Sequence, residues 1–158
     1  MILHPFLPLF DKDSKILILG SFPSVKSRQI NFYYGHPQNR FWKVISAIFN
    51  EIEPKTIEEK KLLLLSHNIA LWDSIKSCDI VNSSDSSIKN VQINDIKGLI
   101  NNTNINKVIF NGNTSYKMFK KYNKESFENI KFVCLPSTSP ANAKFKLQDL
   151  IDIWKKEF

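Results

Sequence analysis

With 158 residues, 42% hydrophobic and 23% charged, the chain is long enough for one domain with its own core, and no apolar run approaches the ~20 residues of a membrane-spanning helix. A net charge of +7 and a pI near 9.4 favour an anionic partner, of which nucleic acid is the commonest. Cys78 and Cys134 are too few and too far apart for an iron–sulfur cluster or a structural zinc site; with no secretory leader they are expected to be reduced, in a monomeric cytoplasmic protein with no metal or cofactor.

Residues 1–10 are apolar, but two prolines oppose a helix, and the segment is expected to pack on the domain. Lys15-Ile-Leu-Ile-Leu-Gly20 reads as a buried first strand that ends in a Gly/Pro turn, Gly20-Ser-Phe-Pro-Ser24. The run Phe32-Tyr-Tyr-Gly-His-Pro-Gln-Asn-Arg-Phe-Trp42 is too irregular for a strand or helix. Loops that concentrate aromatic and hydrogen-bonding groups more often serve a site than a core. A helix starts at Asn39 or Arg40 and runs to about residue 50, with Phe41, Trp42, Ile45, Ile48 and Phe49 near helical spacing. Thr56 and Glu59 fit a capping box for a helix to about Ser66, and Ile69-Ala-Leu-Trp-Asp73 is a second strand.

Residues 74–90 carry little pattern and read as a flexible or functional connection with Ser83-Ser-Asp-Ser-Ser87 at its centre. Asn94 can cap a helix through Ile100. Lys107-Val-Ile-Phe-Asn111 is a third strand, followed by Gly112 and a helix over 114–122. Ile130-Lys-Phe-Val-Cys-Leu135 is a fourth strand, with Cys134 expected in the core, and a Ser/Pro loop over 136–142 leads into a last helix over 145–157.

Short apolar strands alternating with helices predict a single α/β domain over residues 1–158, three-layer α/β/α, with a central four-stranded, mainly parallel sheet. In such a sheet the strand C-termini form the ligand crevice. They carry Gly20, Asp73, Asn111 and Ser137, so the expected crevice also gathers Ser21, Phe22, Tyr33, Tyr34, Asn39, Ser139 and Asn142. Amides, hydroxyls and aromatic faces with one carboxylate suit a flat, polar, uncharged ligand such as an extruded nucleobase. Neither GxxxxGK[ST] nor GxGxxG is present, which argues against nucleoside-triphosphate and dinucleotide chemistry. Ser21, His36 and Asp73 could compose a hydrolase triad, but there is no GxSxG elbow to support one.

Gly20-Ser-Phe-Pro-Ser24, Tyr34-Gly-His-Pro-Gln-Asn-Arg-Phe-Trp-Lys-Val-Ile45 and Leu135-Pro-Ser-Thr-Ser-Pro-Ala-Asn142 together resemble the uracil-DNA glycosylase superfamily. The middle block is similar to the H-P-x-N-R-F-W run of its mismatch-specific uracil glycosylases. The set as a whole, with Ala70-Leu-Trp-Asp73 and Ser83–Ser87, most resembles the hypoxanthine-DNA (deoxyinosine) glycosylase branch. The resemblance covers nearly the whole chain and implies a monofunctional, metal-free glycosylase that removes hypoxanthine from DNA during base excision repair. The alternatives it leaves are uracil excision from mismatches and a non-catalytic binder of damaged or single-stranded DNA. Xanthine is a further candidate base.

The resemblance implies roles for particular residues. Gly20, Ser21 and Phe22 would face the sugar and water, with Ser24 at the DNA. Tyr34 would stack on the flipped base, and Tyr33 would belong to the core. Asp73 would read the base by accepting from hypoxanthine N1–H while refusing adenine, with Asn111 or a backbone N–H serving O6. Ser137, Ser139, Pro140, Ala141 and Asn142 would form the loop that grips DNA near the lesion. Arg40 and Lys144, with Lys26 and Arg28, would meet phosphates. Two departures stand out: Phe22 replaces the water-positioning Asn or acid of other branches, and Ser137 replaces their His or Asn. In the hypoxanthine branch the catalytic role goes with the Asn of the H-P-x-N block, so the resemblance implies Asn39 here, a residue that also suits an N-cap. Ala141 is small where relatives insert a large apolar wedge, so either Asn142 or Lys144 would hold the DNA open or weakly paired and single-stranded lesions would be preferred. His36 is expected only to hydrogen-bond a loop, and Asp85 is a further candidate for the site.

Overall fold

Four apolar runs form the centre of the protein, in a computed structural model that describes residues 1–158. They are β2 (Ile16–Gly20), β3 (Ile69–Asp73), β6 (Lys107–Asn111) and β7 (Lys131–Leu135), pairing in parallel in the order β3-β2-β6-β7. Because strand side chains alternate, each strand feeds two cores. Ile18, Leu71 and Ile109 point to one face, where α2 (Phe41–Ile48), α3 (Ile57–Ser66) and α6 (Leu147–Trp154) bury Phe41, Trp42, Ile45, Leu64, Leu150 and Trp154. Leu17, Leu19, Ala70, Val108 and Phe110 point to the other, beneath α4 (Ile96–Asn101) and α5 (Asn113–Tyr122). The expected three-layer arrangement with its four-stranded parallel sheet is present.

The chain leaves β2 toward β3 on one side and returns to β6 on the other. The two central strands thus send their following loops in opposite directions, which opens a crevice at their C-terminal ends.

A second, antiparallel sheet of β1 (Ile2–Leu3), β4 (Ile75–Asp79) and β5 (Lys89–Ile93) adds to the expected fold. Much of the stretch over 74–90, expected to be loop, is therefore hairpin. Its inward residues include Ser77, fully buried, so the alternation is invisible to an apolar template, and the pairing shifts register at Ser77. The opening segment packs on the domain as expected. Ile2 and Leu3 pair with β4, and Leu9 exchanges backbone hydrogen bonds with Leu71.

Several boundaries differ from expectation. A short helix α1 (Val25–Ile30) follows the Gly20–Ser24 turn, with the Ser24 hydroxyl accepting from Ser27 N–H. The cap of α4 is Asp95, not Asn94; Asn94 is buried and donates instead to the carbonyls of Asp73 and Ile75. Thr56 caps α3 as expected, by accepting from Glu59 N–H. Helix α6 is shorter than 145–157, ending in a 3₁₀ turn over Lys155–Glu157. Cys134 is exposed rather than in the core, because β7 is the edge strand, while Cys78 is buried; both are free thiols. No helix is long and apolar enough to cross a membrane.

Candidate active site

The strand ends do meet. Gly20 to Ser24 after β2, Asp73 ending β3, Asn111 ending β6 and Ser137 to Ala141 after β7 line one cavity of about 360 Å³, together with Tyr33, Tyr34, His36 and Asn39. That volume lies at the lower end of sites for small organic ligands, which span ~300–1,000 Å³. Asn142 and Lys144 fall outside it, in an open groove that continues past Asn113, Thr114 and Phe145.

Tyr34 forms one wall. Its backbone is in the left-handed region, at φ 52°, an arrangement a bulky residue adopts only when its surroundings impose it. Phe41 imposes it: the two rings stack with centroids 4.1 Å apart and planes within 20°. One face of Tyr34 is thus backed by the core while the residue lines the cavity. Its hydroxyl is buried without a hydrogen-bond partner. Burial first, then the negative charge of Asp73, push the Tyr34 phenol well above its ordinary pKa. The same two causes, in the same order, act on Tyr33, whose hydroxyl donates to the Leu7 carbonyl at 2.9 Å from within the core.

Asp73 sits opposite. Its side chain is only 6% exposed, and Oδ2 lies 2.7 Å from Nε2 of His4, itself 4% exposed. Oδ1 has no partner in the protein and lies over Gly20. A methyl group on Gly20 would sit 2.3 Å from Oδ1 and 3.3 Å from the Tyr34 hydroxyl, so only glycine allows the carboxylate this close to the strand.

Asn39 is held in a network. Its Oδ1 accepts from Phe41 N–H and from the Thr138 hydroxyl, both at 2.9 Å. A backbone N–H can only donate, so the amide orientation is fixed, with oxygen inward. Nδ2 has no protein partner, and Asn39 presents the cavity with a donor. Thr138, fully buried, completes the network: it accepts from Asn111 Nδ2 at 3.0 Å and donates its own N–H to Asn111 Oδ1 at 3.0 Å. The other Nδ2–H of Asn111 turns toward the Tyr34 hydroxyl and opposes the rise in its pKa. The N-cap of α2 is Arg40, without a side-chain cap bond, so Asn39 does not cap the helix as its type suggested; it braces the first turn through Phe41 N–H and presents a cavity donor.

Arg40, expected at a phosphate, turns inward. Its guanidinium donates to the carbonyls of Thr138, Ser139, Asn142 and Phe145, the Ser139 bond being 2.9 Å. It clamps the loop after β7. That loop also holds itself: Ser139 N–H donates to Ser137 Oγ, Ala141 N–H to Ser139 Oγ, and Asn142 Nδ2 to the Ser137 carbonyl. Pro140, Ala141 and Lys144 are exposed beside the groove.

The segment over 80–88 crosses the cavity mouth. Arg28 donates to the Asn82 carbonyl at 2.6 Å, and Val25 N–H donates to Ser83 Oγ at 2.9 Å. Ser83 and Asp85 thereby join the lining. Asp85 is exposed as a residue, yet protein packed around its carboxyl raises the pKa above the ordinary range; the Ser21 hydroxyl opposes that shift and the Asp73 charge adds to it. Phe22, where other branches place a polar group, is buried and edge-on to His4, with ring centroids 6.0 Å apart. His36 accepts from Gln38 N–H through Nδ1.

Residues 7–156 match the model of the uracil DNA glycosylase superfamily. The chain belongs to that superfamily. Among curated proteins it is 36% identical over 147 residues to a hypoxanthine DNA glycosylase of Methanosarcina acetivorans, covering 92% of this chain and 91% of that protein. It is 37% identical over 112 residues to a hypoxanthine DNA glycosylase of Methanosarcina barkeri, covering 70% and 71%. A solution NMR structure from Methanosarcina acetivorans, described as a candidate uracil DNA glycosylase, superposes with a TM-score of 0.81 at 30% identity over 99% of this chain and 96% of that one.

Within this superfamily site, sequence reasoning missed two residues. Thr138 lay inside a recognised loop but carried no signal separating it from Ser137 and Ser139. His4 is 69 residues from the carboxylate it contacts, and nothing local marks it.

Proposed function

We propose that the chain is a monofunctional DNA glycosylase that hydrolyses the N-glycosidic bond of deoxyinosine, releasing hypoxanthine and leaving an abasic site. Two similar proteins named hypoxanthine DNA glycosylase support the substrate. The observation that carries the chemistry is the donor face of Asn39, fixed by Phe41 and Thr138.

Glycosidic cleavage passes through an oxocarbenium-like sugar, and the departing purine takes the electron pair as an anion. A preoriented N–H donor stabilises that developing charge without having to reorganise. An amide whose oxygen is occupied cannot take a proton from water, so Asn39 acts on the departing base and leaves the attacking water to other groups. The flipped purine would lie on the exposed face of Tyr34. Its N1–H would reach Asp73 Oδ1, and the Nδ2–H that Asn111 turns toward the Tyr34 hydroxyl would serve O6. Adenine, with a bare acceptor at N1, would face an acceptor. Rejection through unpaired buried groups of this kind can reach ~10⁴-fold. DNA would run along the groove of Asn142 and Lys144, with Pro140 and Ala141 at its edge, and would be met by a monomer. Ser24, tied up as the α1 cap, and Arg40, clamped on the loop, serve the DNA through the loops they hold.

The test is excision from oligonucleotides carrying hypoxanthine, uracil or xanthine, single- and double-stranded, with alkali to reveal abasic sites. Cleavage at hypoxanthine above uracil is expected. Uracil cleavage with hypoxanthine untouched would move the protein to the mismatch-specific uracil enzymes, and binding with no cleavage of any base would make it a non-catalytic reader of lesions.

A further inference from the structure

His4 has no role in the chemistry above, yet its ring is nearly enclosed and touches the carboxylate that faces the base. Nδ1 lies 2.8 Å from the Phe6 carbonyl. A carbonyl only accepts, so Nδ1 carries a hydrogen. In a neutral imidazole the other nitrogen would then be a bare acceptor, 2.7 Å from carboxyl oxygen Oδ2. Two acceptors cannot share that distance. One further proton must lie between them, giving either an imidazolium beside a carboxylate or a neutral ring beside a carboxylic acid. In both cases the proton is on the Nε2–Oδ2 line, and Oδ1 is left as an acceptor only.

We infer that His4 is a specificity-determining positioning residue: it binds Oδ2, confines the shared proton there and so keeps Asp73 Oδ1 an acceptor toward the base. This rests on Asp73 reading the base, as proposed above. The groups facing Asp73 explain why a partner is required. Tyr33 and Tyr34 border it from the aromatic loop, and Asp85 faces it from the segment over 80–88. None of the three supplies a positive charge. Without His4, no protein group would confine a proton to Oδ2. That proton could then sit on Oδ1, turning the reading atom into a donor that clashes with N1–H.

The test is single-turnover excision by the whole protein and by His4→Phe and His4→Gln, with substrate binding and the rate at saturation measured separately. In His4→Phe excision at limiting substrate should fall about tenfold, as expected when a buried acceptor loses its partner. The loss near neutral pH should fall on substrate binding more than on the rate at saturation. His4→Gln, which can still donate to Oδ2, should recover much of the neutral-pH activity. Substrate binding unchanged in His4→Phe, or no recovery in His4→Gln, would overturn the inference. Should His4→Phe fail to fold, His4→Gln and a long-range proton–nitrogen NMR spectrum of the unaltered protein still decide. Nδ1 protonated with Nε2 hydrogen-bonded is expected, and a bare Nδ1 would refute the shared proton. If the unaltered protein excises uracil instead of hypoxanthine, the substrate assignment fails, but the same comparison is read on uracil, whose N3–H equally needs an acceptor.

Discussion

Thr138 donates its hydroxyl to Asn39 Oδ1 at 2.9 Å, joining two loops that lie 99 residues apart. The contact adds a second donor to the Asn39 oxygen that Phe41 N–H already holds inward, and its neighbours Asn111 and Arg40 hang from the same residue. Replacing Thr138 by Val keeps the shape but removes the hydroxyl. It would leave one hydrogen of Asn111 Nδ2 and one lone pair of Asn39 Oδ1 unpaired, at a cost of about 1–3 kcal/mol. Thermal unfolding should show that loss, and excision should fall with it because Asn39 is less firmly oriented.

Arg40 and Lys144 were expected to act alike, and the structure separates them. Arg40→Ala removes charged donors from several loop carbonyls, so it should cost about 2–4 kcal/mol in unfolding by denaturant. Its effect on the salt dependence of DNA binding should be small. Lys144→Ala should do the reverse: stability within ~0.5 kcal/mol of the parent and a log K against log salt slope shallower by about 0.9, one phosphate contact. Titration of a fluorescent duplex at several salt concentrations measures both.

The buried phenols predict behaviour in alkali. Tyr33 and Tyr34 have folded-state pKa values above the unfolded value of ~10. Between those values the folded protein retains protons the unfolded chain releases, so this contribution to stability is complete below pH ~10 and is lost as pH rises above it. With two phenols the fall should approach about 2–3 kcal/mol per pH unit. Ultraviolet titration should show two of the four tyrosines ionising only as the protein unfolds.

The main frame was legible in the residues because its strands are continuous apolar runs. Leu17 to Leu19 and Val108 to Phe110 are buried on both faces, and only a parallel sheet covered on both sides demands that. The crevice followed from the frame, since Gly20, Asp73, Asn111 and Ser137 all stand at strand ends. The hairpin of β4 and β5 was hidden by inward Ser77 and by bulges that break its alternation. Arg40 was misplaced because a positive charge in a DNA-binding motif reads as a phosphate contact until the carbonyls around it are seen. His4 could not be placed at all: its meaning comes from a contact between the end of β1 in the second sheet and the end of β3 in the first, and a histidine between Leu3 and Pro5 looks like any other.

Asn39 is where the account is most exposed. Asn39→Asp keeps an oxygen for Phe41 N–H and for Thr138 but exchanges the cavity-facing donor for an acceptor, so this variant isolates the chemistry. The measurement is single-turnover release of free hypoxanthine from one deoxyinosine duplex by the parent and by Asn39→Asp. Release by the parent, with the variant folded, still binding the duplex and slower by about 10²–10³, is the predicted result. A variant that releases hypoxanthine at the parental rate would contradict the assignment of Asn39.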